Sequence, residues 1–333
     1  MTTAMTTAMN TATTAFVEHI GGPEVIQWRD ETLPPPGRGE VRMRNTAVGL
    51  NYIDAYFRSG LYPATLPMGL GSEAAGVVEA VGEGVTDFAP GDRVGTFGPS
   101  RGAYATARNL PADNLVALPD AIDDRTAAAL LLKGATAAFL IEECAQVRAG
   151  QTVLVHSAAG GVGHILVGWL THIGAVVIGS VGTDDKVAMV RAMGAAHVIN
   201  HKTEDVAERV RAIAPEGVPV ILDGVGKATW PVSLACVARR GLIVSYGNAS
   251  GAVEGVNLGV LAAKGSIFVT RPTLFDYAVG RTAKQALVDR VFAMVAKGAI
   301  TPEIGQEFAL TDAADAHRAM EAGETHGSTL LIP

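Results

Sequence analysis

The hydrophobic pattern of the chain changes near residue 126, and each part predicts a different kind of domain. From about residue 16 onward, apolar runs are short, and proline or glycine interrupts them roughly every dozen residues. The segment EVRMRNTAVGL alternates around Val41 and Met43, EAAGVVEAVG is typical of a buried strand, and PGDRVGTFG is typical of a turn that enters a strand. This part therefore predicts a β-barrel-like domain.

After residue 126, strand-like apolar segments alternate with helical segments. The stretch TVLVHSAAGGVGHILVGWLTHIGAVVIGSVG predicts a strand, a glycine turn, a helix and a second strand. Helices are predicted near 184–193, 203–213 and 228–238, with further strands at AHVIN, PVILDGV, GLIVSYG and GSIFVT. Strands that alternate with helices form parallel sheets with helices on both faces. The sequence therefore predicts an α/β domain with a sheet of six strands.

The last part of the chain does not continue this alternation. After about residue 276, a long helical segment and the terminal strand GSTLLIP fall outside the six-stranded pattern. The simplest arrangement returns this tail to the first domain, so that 16–128 and 276–333 form one split domain around an inserted domain at 129–275. A chain of 333 residues is also long enough that two domains are expected.

Composition argues against several classes of function. The net charge is −7 and lysine and arginine form no runs, so a nucleic-acid partner is not expected. No stretch of about 18 uncharged apolar residues suggests a membrane span. The two cysteines, Cys144 and Cys236, each lie in an apolar segment and are interpreted as reduced core residues.

The first fifteen residues, MTTAMTTAMNTATTA, carry no charge. A secretory signal begins with positive charge and a transit peptide contains arginines, but here the first arginine is Arg29 and the first lysine is Lys133. We therefore predict that residues 1–15 form a disordered extension of a cytoplasmic protein.

The glycine turn VLVHSAAGGVGHI predicts a dinucleotide site. Ala158, Gly160 and Gly163 stand where the motif G-x-G-x-x-G has its three glycines. A small first residue permits the tight turn, Gly160 lets the backbone approach a pyrophosphate, and Gly163 lets the helix pack closely. The start of the helix then offers N–H groups and partial positive charge to the phosphates. The position of the motif between a strand and a helix supports this interpretation.

The end of the second strand of this domain predicts which nicotinamide cofactor binds. NAD sites usually carry an acidic side chain there, but this strand ends with Ser180 and Val181. Asp184 and Asp185 come later and are expected to begin the next helix, where the helix dipole favours acids. Lys186 follows closely enough to reach a 2′-phosphate, so NADPH is favoured over NADH. The alternative, a solvated lysine on the helix surface, stays open.

Several stretches together resemble the medium-chain dehydrogenases/reductases, specifically their quinone oxidoreductase (ζ-crystallin-like) branch. These stretches are NYIDAYFRSGLYP, GSEAAGVVEAVGEGV, PGDRVG, LLLKGATAAFL, HSAAGGVG, VSYGNASGAV and VTRPTL. The resemblance implies a split GroES-like β-barrel-type domain plus a Rossmann doubly wound parallel sheet. It also implies a homodimer, or a tetramer, formed through the Rossmann sheets.

The resemblance further implies a zinc-free member of the superfamily. Zinc-dependent members carry a cysteine where this chain has Asn51 and a His–Glu pair where it has Ser72 and Glu73, and the cluster of four cysteines is absent. Without zinc, hydrogen-bond donors must polarise the substrate. The candidate catalytic residues are Asn51, Tyr52, Asp54, Tyr56 and Tyr62. Two alternatives stay open: Asp54 and Arg58 form a structural pair, and the three tyrosines only pack.

The cofactor site is carried over from the family position by position. The expected cofactor-binding residues are Lys133, Thr136, Ala159, Gly160, Gly161, Val162, Gly163, Ser180, Gly182, Lys186, His201, Val225, Tyr246, Gly247 and Ser250. Two departures imply a looser grip on NADPH. His201 replaces a tyrosine that commonly holds the adenosine phosphate, and Gly323 stands where an arginine is common. His156, His164 and His317 lie in regular elements and are expected to be structural.

These observations lead to three hypotheses of function. The first is an NADPH:quinone reductase, and the second is an NADPH-dependent reductase of the C=C bond in enones or alkenals. The third is a non-catalytic, crystallin-like binding or structural protein, against which the intact glycine turn argues. The expected partners are a small quinone or conjugated carbonyl compound and a second copy of the chain, with neither nucleic acid nor membrane.

Overall fold

The computed structural model describes residues 10–333, which divide into two compact units. The first unit comprises the chain up to Leu132 together with Gly280–Gln285 and Ile304–Pro333. The second unit comprises Lys133–Val279 and Ala286–Glu303. Within the described range, none of the helices has the length and apolar character needed to cross a bilayer.

The first part of the chain is rich in strands, as its short apolar runs predict. Its elements are β1 (Thr11–Val17), β2 (Gln27–Thr32), β3 (Glu40–Leu50), α1 (Tyr52–Ser59), β4 (Met68–Gly69), β5 (Glu73–Val81), β6 (Arg93–Phe97), β7 (Ala107–Pro111), β8 (Leu115–Ala117) and α2 (Asp124–Phe139). Short 3₁₀ helices lie at Pro23–Val25 and Ala112–Asn114, and a π-helical turn follows α2 at Leu140–Cys144.

The next part alternates strands and helices, as predicted. Its elements are β9 (Thr152–Val155), α3 (Gly161–His172), β10 (Val176–Val181), α4 (Asp184–Ala192), β11 (His197–Asn200), α5 (Val206–Ile213), β12 (Val218–Asp223), α6 (Trp230–Cys236), β13 (Val237–Ser245), α7 (Gly259–Ala263), β14 (Phe268–Thr270) and α8 (Leu274–Tyr277). Helix α4 begins at Asp184 after its N-cap residue Thr183, where the two aspartates predicted it.

The sheet of the second unit has the order β11-β10-β9-β12-β13-β14, and all of its pairings are parallel. Numbered along the chain, this order is 3-2-1-4-5-6, the order of the Rossmann fold. Right-handed crossovers place α3 and α4 on one face and α5 and α6 on the other, because the direction of winding reverses between β9 and β12. The predicted doubly wound sheet is therefore confirmed. It brings the loops after β9, β10, β11, β12 and β13 to one edge.

The last part of the chain contributes to both units. Its elements are α9 (Gly280–Ala296), β15 (Ile304–Ala309), α10 (Ala313–Glu321) and β16 (Ser328–Ile332), with a 3₁₀ helix at Leu310–Asp312. Strand β16 pairs antiparallel with β3, with Thr329 opposite Leu50, so the terminal strand joins the sheet of the first unit. Residues 286–303 belong to the second unit, unlike the predicted split at 276. The unit boundaries fall inside α2 and α9, where the sequence contains no linker-like stretch.

The main sheet of the first unit has the order β15-β16-β3-β5-β6-β8, and β7 also pairs with β3. A smaller sheet has the order β2-β1-β4. The register of β3 against β5 shifts twice, between Arg42 and Met43 and between Asn45 and Ala47. Such bulges bend and twist a strand, which suits the predicted barrel-like curvature.

The start of the described chain differs from the prediction. Residues 11–15, expected to be disordered, belong to β1, which pairs with β2 from Thr11–Thr32 to Phe16–Gln27. Thr13 Oγ1 donates a hydrogen bond to Asp30 Oδ1 at 2.6 Å. Threonine and alanine bury little apolar surface, so the composition of this strand does not predict it without its partners. Residues 1–9 of the expected extension lie outside the described residues.

Candidate active site

Helix α1 begins directly after Asn51, whose side chain is committed to the protein. The backbone N–H of Asn51 donates to Asp54 Oδ2 at 3.0 Å, which places an acid at the positive end of the helix. The amide nitrogen Nδ2 of Asn51 donates to the Gly49 carbonyl at 3.2 Å and to Glu73 Oε2 at 2.8 Å. Two donated bonds use both amide protons, so Asn51 does not offer the substrate the donor that was predicted.

The carboxylate of Glu73 is fully buried and is held by two donors. Its Oε1 accepts the backbone N–H of Leu132 at 2.6 Å, and its Oε2 accepts from Asn51. Gly49 makes room for it, because a Cβ at residue 49 would lie 2.3 Å from Glu73 Oε2. Ser72 Oγ donates to Asp54 Oδ1 at 2.7 Å. Asn51 and Ser72, which stand where zinc-dependent members have metal ligands, therefore each donate to a buried carboxylate.

Asp54 belongs to a buried chain of hydrogen bonds whose direction follows from the chemistry of its members. Arginine only donates, so Arg58 Nη1 donates to His317 Nδ1 at 3.0 Å. The proton of His317 is then on Nε2 and points to Tyr104 Oη at 3.0 Å, and Tyr104 donates to Asp54 Oδ2 at 3.2 Å. Arg58 also pairs with Glu321. Arg58 thus forms its ion pair with Glu321, and His317 and Tyr104 connect Arg58 to Asp54 through hydrogen bonds.

Burial fixes the protonation states in this chain of hydrogen bonds. Burial, and secondarily the positive charge of Arg58, lower the pKa of His317 to about 3, so the imidazole is neutral. Burial raises the pKa of Tyr104 well above its ordinary value, and the neighbouring Asp54 carboxylate adds to this effect. The expectation that His317 is structural agrees with this geometry. Tyr104 was not identified from the sequence, because its partners lie 50 and 213 residues away.

The three tyrosines of the segment NYIDAYFRSGLYP form one aromatic cluster. The ring centroids of Tyr52 and Tyr56 are 6.1 Å apart, and those of Tyr56 and Tyr62 are 5.1 Å apart. The hydroxyl of Tyr52 donates to the Met320 carbonyl at 2.9 Å, which ties α1 to α10. Burial, followed by the nearby charge of Glu321, raises the pKa of Tyr52. Tyr52 is therefore a tether between these two helices.

The glycine turn of the second unit has the close packing that its sequence predicts. After β9, Ser157 adopts a positive φ of 54°, and Gly160 donates its N–H to the Ser157 carbonyl at 3.0 Å. Helix α3 begins at Gly161. A Cβ at residue 163 would lie 2.1 Å from the Ser157 carbonyl oxygen and 2.9 Å from Ala158 Cα. Only glycine permits this approach of the helix to the turn, so the turn fits a dinucleotide.

Ser180 lies inside the second unit rather than at a phosphate. Ser233 Oγ donates its one proton in a hydrogen bond to Asp223 Oδ2 at 2.8 Å. It therefore accepts the hydrogen bond from His156 Nε2 at 3.1 Å. The other nitrogen of His156, Nδ1, then accepts from Ser180 Oγ at 3.0 Å. Burial lowers the pKa of His156, which keeps this imidazole neutral. The hydroxyl of Ser180 is thus bonded inside the unit, whereas the sequence predicted a contact with the cofactor.

Basic side chains follow β10 and β11, where the ribose of a dinucleotide binds in this fold. Lys186 lies in the first turn of α4. His201 lies beside Gly182, since a Cβ at residue 182 would be 3.3 Å from His201 Nε2 and 3.8 Å from Lys202 Cε. Asn200 Nδ2 donates to Asp184 Oδ1 at 2.8 Å. Lys202 is a basic neighbour that sequence reasoning missed.

The loops after β12 and β13 pack against each other without space for side chains. A Cβ at Gly247 would lie 2.3 Å from the Gly224 carbonyl oxygen, and the ring of Tyr246 covers Gly224. Ser250 Oγ donates to the Val225 carbonyl at 2.8 Å. The expected cofactor residues Ala159, Gly160, Gly161, Val162, Gly163, Gly182, Lys186, His201, Val225, Tyr246, Gly247 and Ser250 all follow carboxyl ends of strands at one sheet edge, whereas Lys133 and Thr136 lie on α2.

The side chains present are a poor set of metal ligands. Within residues 10–333, no three His, Cys, Asp or Glu side chains come close enough together to hold a metal ion. The carboxylates nearest the expected zinc position, Asp54 and Glu73, are already engaged by the donors described above.

Comparison with known proteins identifies the family. Residues 37–120 match the family described as alcohol dehydrogenase GroES-like domain, and residues 161–297 match the family described as zinc-binding dehydrogenase. A quinone oxidoreductase of Pseudomonas aeruginosa is 50% identical over 315 residues, which cover 94% of this chain and 97% of that protein. The chain belongs to the quinone oxidoreductase family of medium-chain dehydrogenases/reductases. It is an oxidoreductase, and the predicted GroES-like and Rossmann fold class is confirmed.

Two further relatives cover nearly the whole chain. The crystal structure of Escherichia coli quinone oxidoreductase complexed with NADPH superimposes with a TM-score of 0.94 at 44% identity, covering 96% of this chain and all of that one. A 2-haloacrylate reductase of a Burkholderia species is 42% identical, covering 96% of this chain and 98% of that protein.

Proposed function

We propose that this chain transfers a hydride from NADPH to quinones, without a metal. The observation that carries the proposal is the glycine turn, in which residue 163 can only be glycine, at the edge of a sheet with the Rossmann order. The relatives described above support the choice of cofactor and of substrate, because they share close to half of their residues with this chain over nearly its full length.

The residues of the second unit suit NADPH rather than NADH. The N–H groups at the start of α3, including those of Gly161 and Val162, would hold the pyrophosphate. Lys186, His201 and Lys202 would hold the 2′-phosphate, because no acidic side chain ends β10. When bound, NADPH supplies the hydride.

The first unit would orient the acceptor. Planar rings stack favourably on aromatic side chains, and the half-buried Tyr62, whose ring packs against that of the buried Tyr56, would offer such a surface. As hydride arrives, negative charge grows on the acceptor oxygen, so a phenol O–H directed at that oxygen lowers the barrier. We assign this role to Tyr56 and Tyr62, and assign to Tyr52 and Asn51 the fixing of α1 in place. Water can protonate the reduced quinone.

Consumption of NADPH against a panel of quinones tests the proposal, with the products identified. We expect saturable oxidation of NADPH with at least one quinone, formation of the quinol, and slower oxidation of NADH. An absence of NADPH oxidation with every quinone and enone would overturn the proposal and revive the non-catalytic alternative.

A second candidate function is reduction of a C=C bond conjugated to a carbonyl or carboxylate. The 2-haloacrylate reductase among the relatives favours it, because that protein is 42% identical over nearly the same span. Both reactions deliver hydride to an electron-poor conjugated system, so the same residues would serve. The same assay, run with enones and with 2-chloroacrylate, separates the two by which acceptor gives the higher kcat/KM.

The protein is proposed to be a cytoplasmic homodimer that joins through the second unit. Strand β14 ends the Rossmann sheet, and its Phe268 is 59% exposed with Val269 beside it also exposed. An unpaired strand edge with exposed apolar side chains favours pairing with a second copy. Light scattering on a size-exclusion column should show a dimer for the wild type and a shift toward monomer for Phe268→Asp. A monomeric wild type would contradict this assignment.

A further inference from the structure

The first unit contains a cavity that the proposed reaction does not use. It has a volume of about 200 Å³ and lies between β1, β2, β4, β7 and the segment at Arg101 and Gly102. A single buried water needs only roughly 10–15 Å³ on the same measure, so the cavity has room for a polyatomic ligand. Glycines create part of this space, because Gly69 and Gly102 approach so closely that a Cβ at residue 69 would lie 3.0 Å from Gly102 Cα.

The wall of the cavity contains a buried guanidinium with no counter-ion among residues 10–333. Arg108 is 7% exposed, and its Nη1 donates to the Arg101 carbonyl at 2.9 Å. Its Nε and Nη2 are buried, and neither meets an acceptor anywhere in residues 10–333. Buried charges in proteins are normally paired, because an unpaired one is costly. Burial lowers the pKa of Arg108 to about 10, which leaves it charged at neutral pH.

Other charges around the cavity add to the positive potential. Arg29 and Arg101 line it too, and the guanidinium of Arg101 lies 4.6 Å above the Phe57 ring, with its Nε buried and lacking an acceptor in the described chain. The acidic residue of the lining, Glu31, pairs with Arg29 at 3.1 Å. Three guanidinium groups against one carboxylate leave two positive charges. The residues before β1 supply no counter-ion, because the sequence has no Asp or Glu before residue 18.

We propose that this cavity binds a small oxyanion of the phosphate or sulfate type, held chiefly by Arg108 and Arg101. Oxyanions accept several hydrogen bonds at once and match the planar fork of arginine. Water would satisfy the N–H groups of Arg108 but would leave its charge unbalanced. The ligand site lies wholly within the first unit and is separate from the glycine turn, so this inference does not depend on the proposed reaction.

Calorimetric titration with inorganic phosphate tests the proposal. The protein is saturated with NADPH and kept free of acceptor, so that phosphate does not occupy the cofactor's own phosphate sites. Ionic strength is held constant with sodium chloride. We expect saturable binding of one phosphate per chain, and competition by sulfate. If titration with phosphate gives no more binding heat than titration with chloride, the cavity holds only water and the proposal is overturned.

Four variants locate the site. Arg108→Gln should weaken phosphate binding by about tenfold or more, because a charge-assisted contact is lost. Substitution of either member of the Arg29–Glu31 ion pair should change phosphate affinity, in opposite directions. Arg29→Gln weakens phosphate binding and Glu31→Gln tightens it. Arg38→Gln is the matched control, since Arg38 is exposed, pairs with Glu83 at 3.8 Å and does not line the cavity.

These outcomes decide the proposal even if one variant folds poorly. Arg108→Gln should keep or raise the Tm without phosphate, because it removes an unpaired buried charge. If it fails to fold, the opposite effects of Arg29→Gln and Glu31→Gln remain decisive, because a structural role would not make one tighten and the other weaken binding. Unchanged affinity in Arg108→Gln, or weaker binding in Glu31→Gln, would refute the site.

Discussion

Replacement of Gly163 by alanine tests the geometry of the glycine turn most directly. The new methyl group would lie 2.1 Å from the Ser157 carbonyl oxygen, whereas carbon–oxygen contacts normally exceed about 3.3 Å. Helix α3 and the turn must therefore move apart by roughly 1 Å. Overpacking of this kind costs about 1–3 kcal/mol, and alanine recovers about 1 kcal/mol through its higher helix propensity. We expect a net loss of up to about 2 kcal/mol of stability, or a Tm lower by up to roughly 8 °C.

The same displacement should weaken NADPH binding. Loss of one well-placed hydrogen bond to the pyrophosphate corresponds to about 1.4 kcal/mol, or a tenfold higher Kd. Gly160→Ala is the matched control, since residue 160 has φ −75° and ψ 170°, and its Cβ would lie 3.1 Å from Ser157 Oγ and 3.2 Å from the Ser157 carbonyl oxygen, much farther than the 2.1 Å at residue 163. It should lose NADPH affinity with little loss of Tm. Calorimetry and thermal unfolding measure both effects. A Gly163→Ala variant with wild-type Tm and Kd would refute the reasoning.

Four other predictions follow from the two units. Lys186→Ala should weaken NADPH binding by roughly 1–3 kcal/mol through loss of a charged contact, with NADH barely affected; equal losses for both cofactors would show that Lys186 supports the fold instead. Tyr56→Phe should lower kcat roughly ten- to a hundredfold while sparing cofactor affinity, whereas Tyr52→Phe should chiefly lower the Tm; full activity of Tyr56→Phe with every quinone and enone would count against its role. Metal analysis should find no stoichiometric zinc, and one tightly bound zinc per chain with chelator-sensitive activity would contradict this. His317 has a folded pKa of about 3 against an ordinary 6.5, so the unfolded chain binds the extra proton between these values, and urea denaturation should show stability falling as pH falls through that window. His317→Gln should flatten this dependence, and an unchanged slope would show that other groups cause it.

The parts of the fold that the sequence predicted correctly are those that depend on local sequence patterns. The glycine turn, the start of α4 at Asp184 and the strand–helix alternation each depend on neighbours within a few residues, and the structure reproduces them. Strand β1 was missed because its threonines and alanines are weakly apolar, and pairing with β2, some 20 residues away, makes it a strand. The unit boundaries were misplaced because α2 and α9 run through them.

The predicted roles of side chains were less accurate, because a hydrogen-bond donor can bond to an acceptor that is far away in the sequence. Asn51 was expected to donate to a substrate, but its amide donates hydrogen bonds to Glu73, 22 residues away, and to the Gly49 carbonyl. Ser180 was expected to bind the cofactor, but its hydroxyl donates a hydrogen bond to His156. In both cases residue type and position in the chain were interpreted reasonably, and only the folded structure shows which acceptor the donor meets.

The substitutions at the zinc-ligand positions change what the neighbouring carboxylates do. In a zinc site, a buried carboxylate acts beside the metal ion, which supplies positive charge. Here Asn51 and Ser72 supply neutral donors instead, and Glu73 and Asp54 accept them together with backbone N–H groups. Because Asp54 bonds both to the start of α1 and to Ser72, directly before β5, these hydrogen bonds hold α1 and β5 in a fixed relation. This hydrogen bonding positions α1 with Tyr52 and Tyr56, so the proposed polarisation of an acceptor by phenols does not require a metal ion.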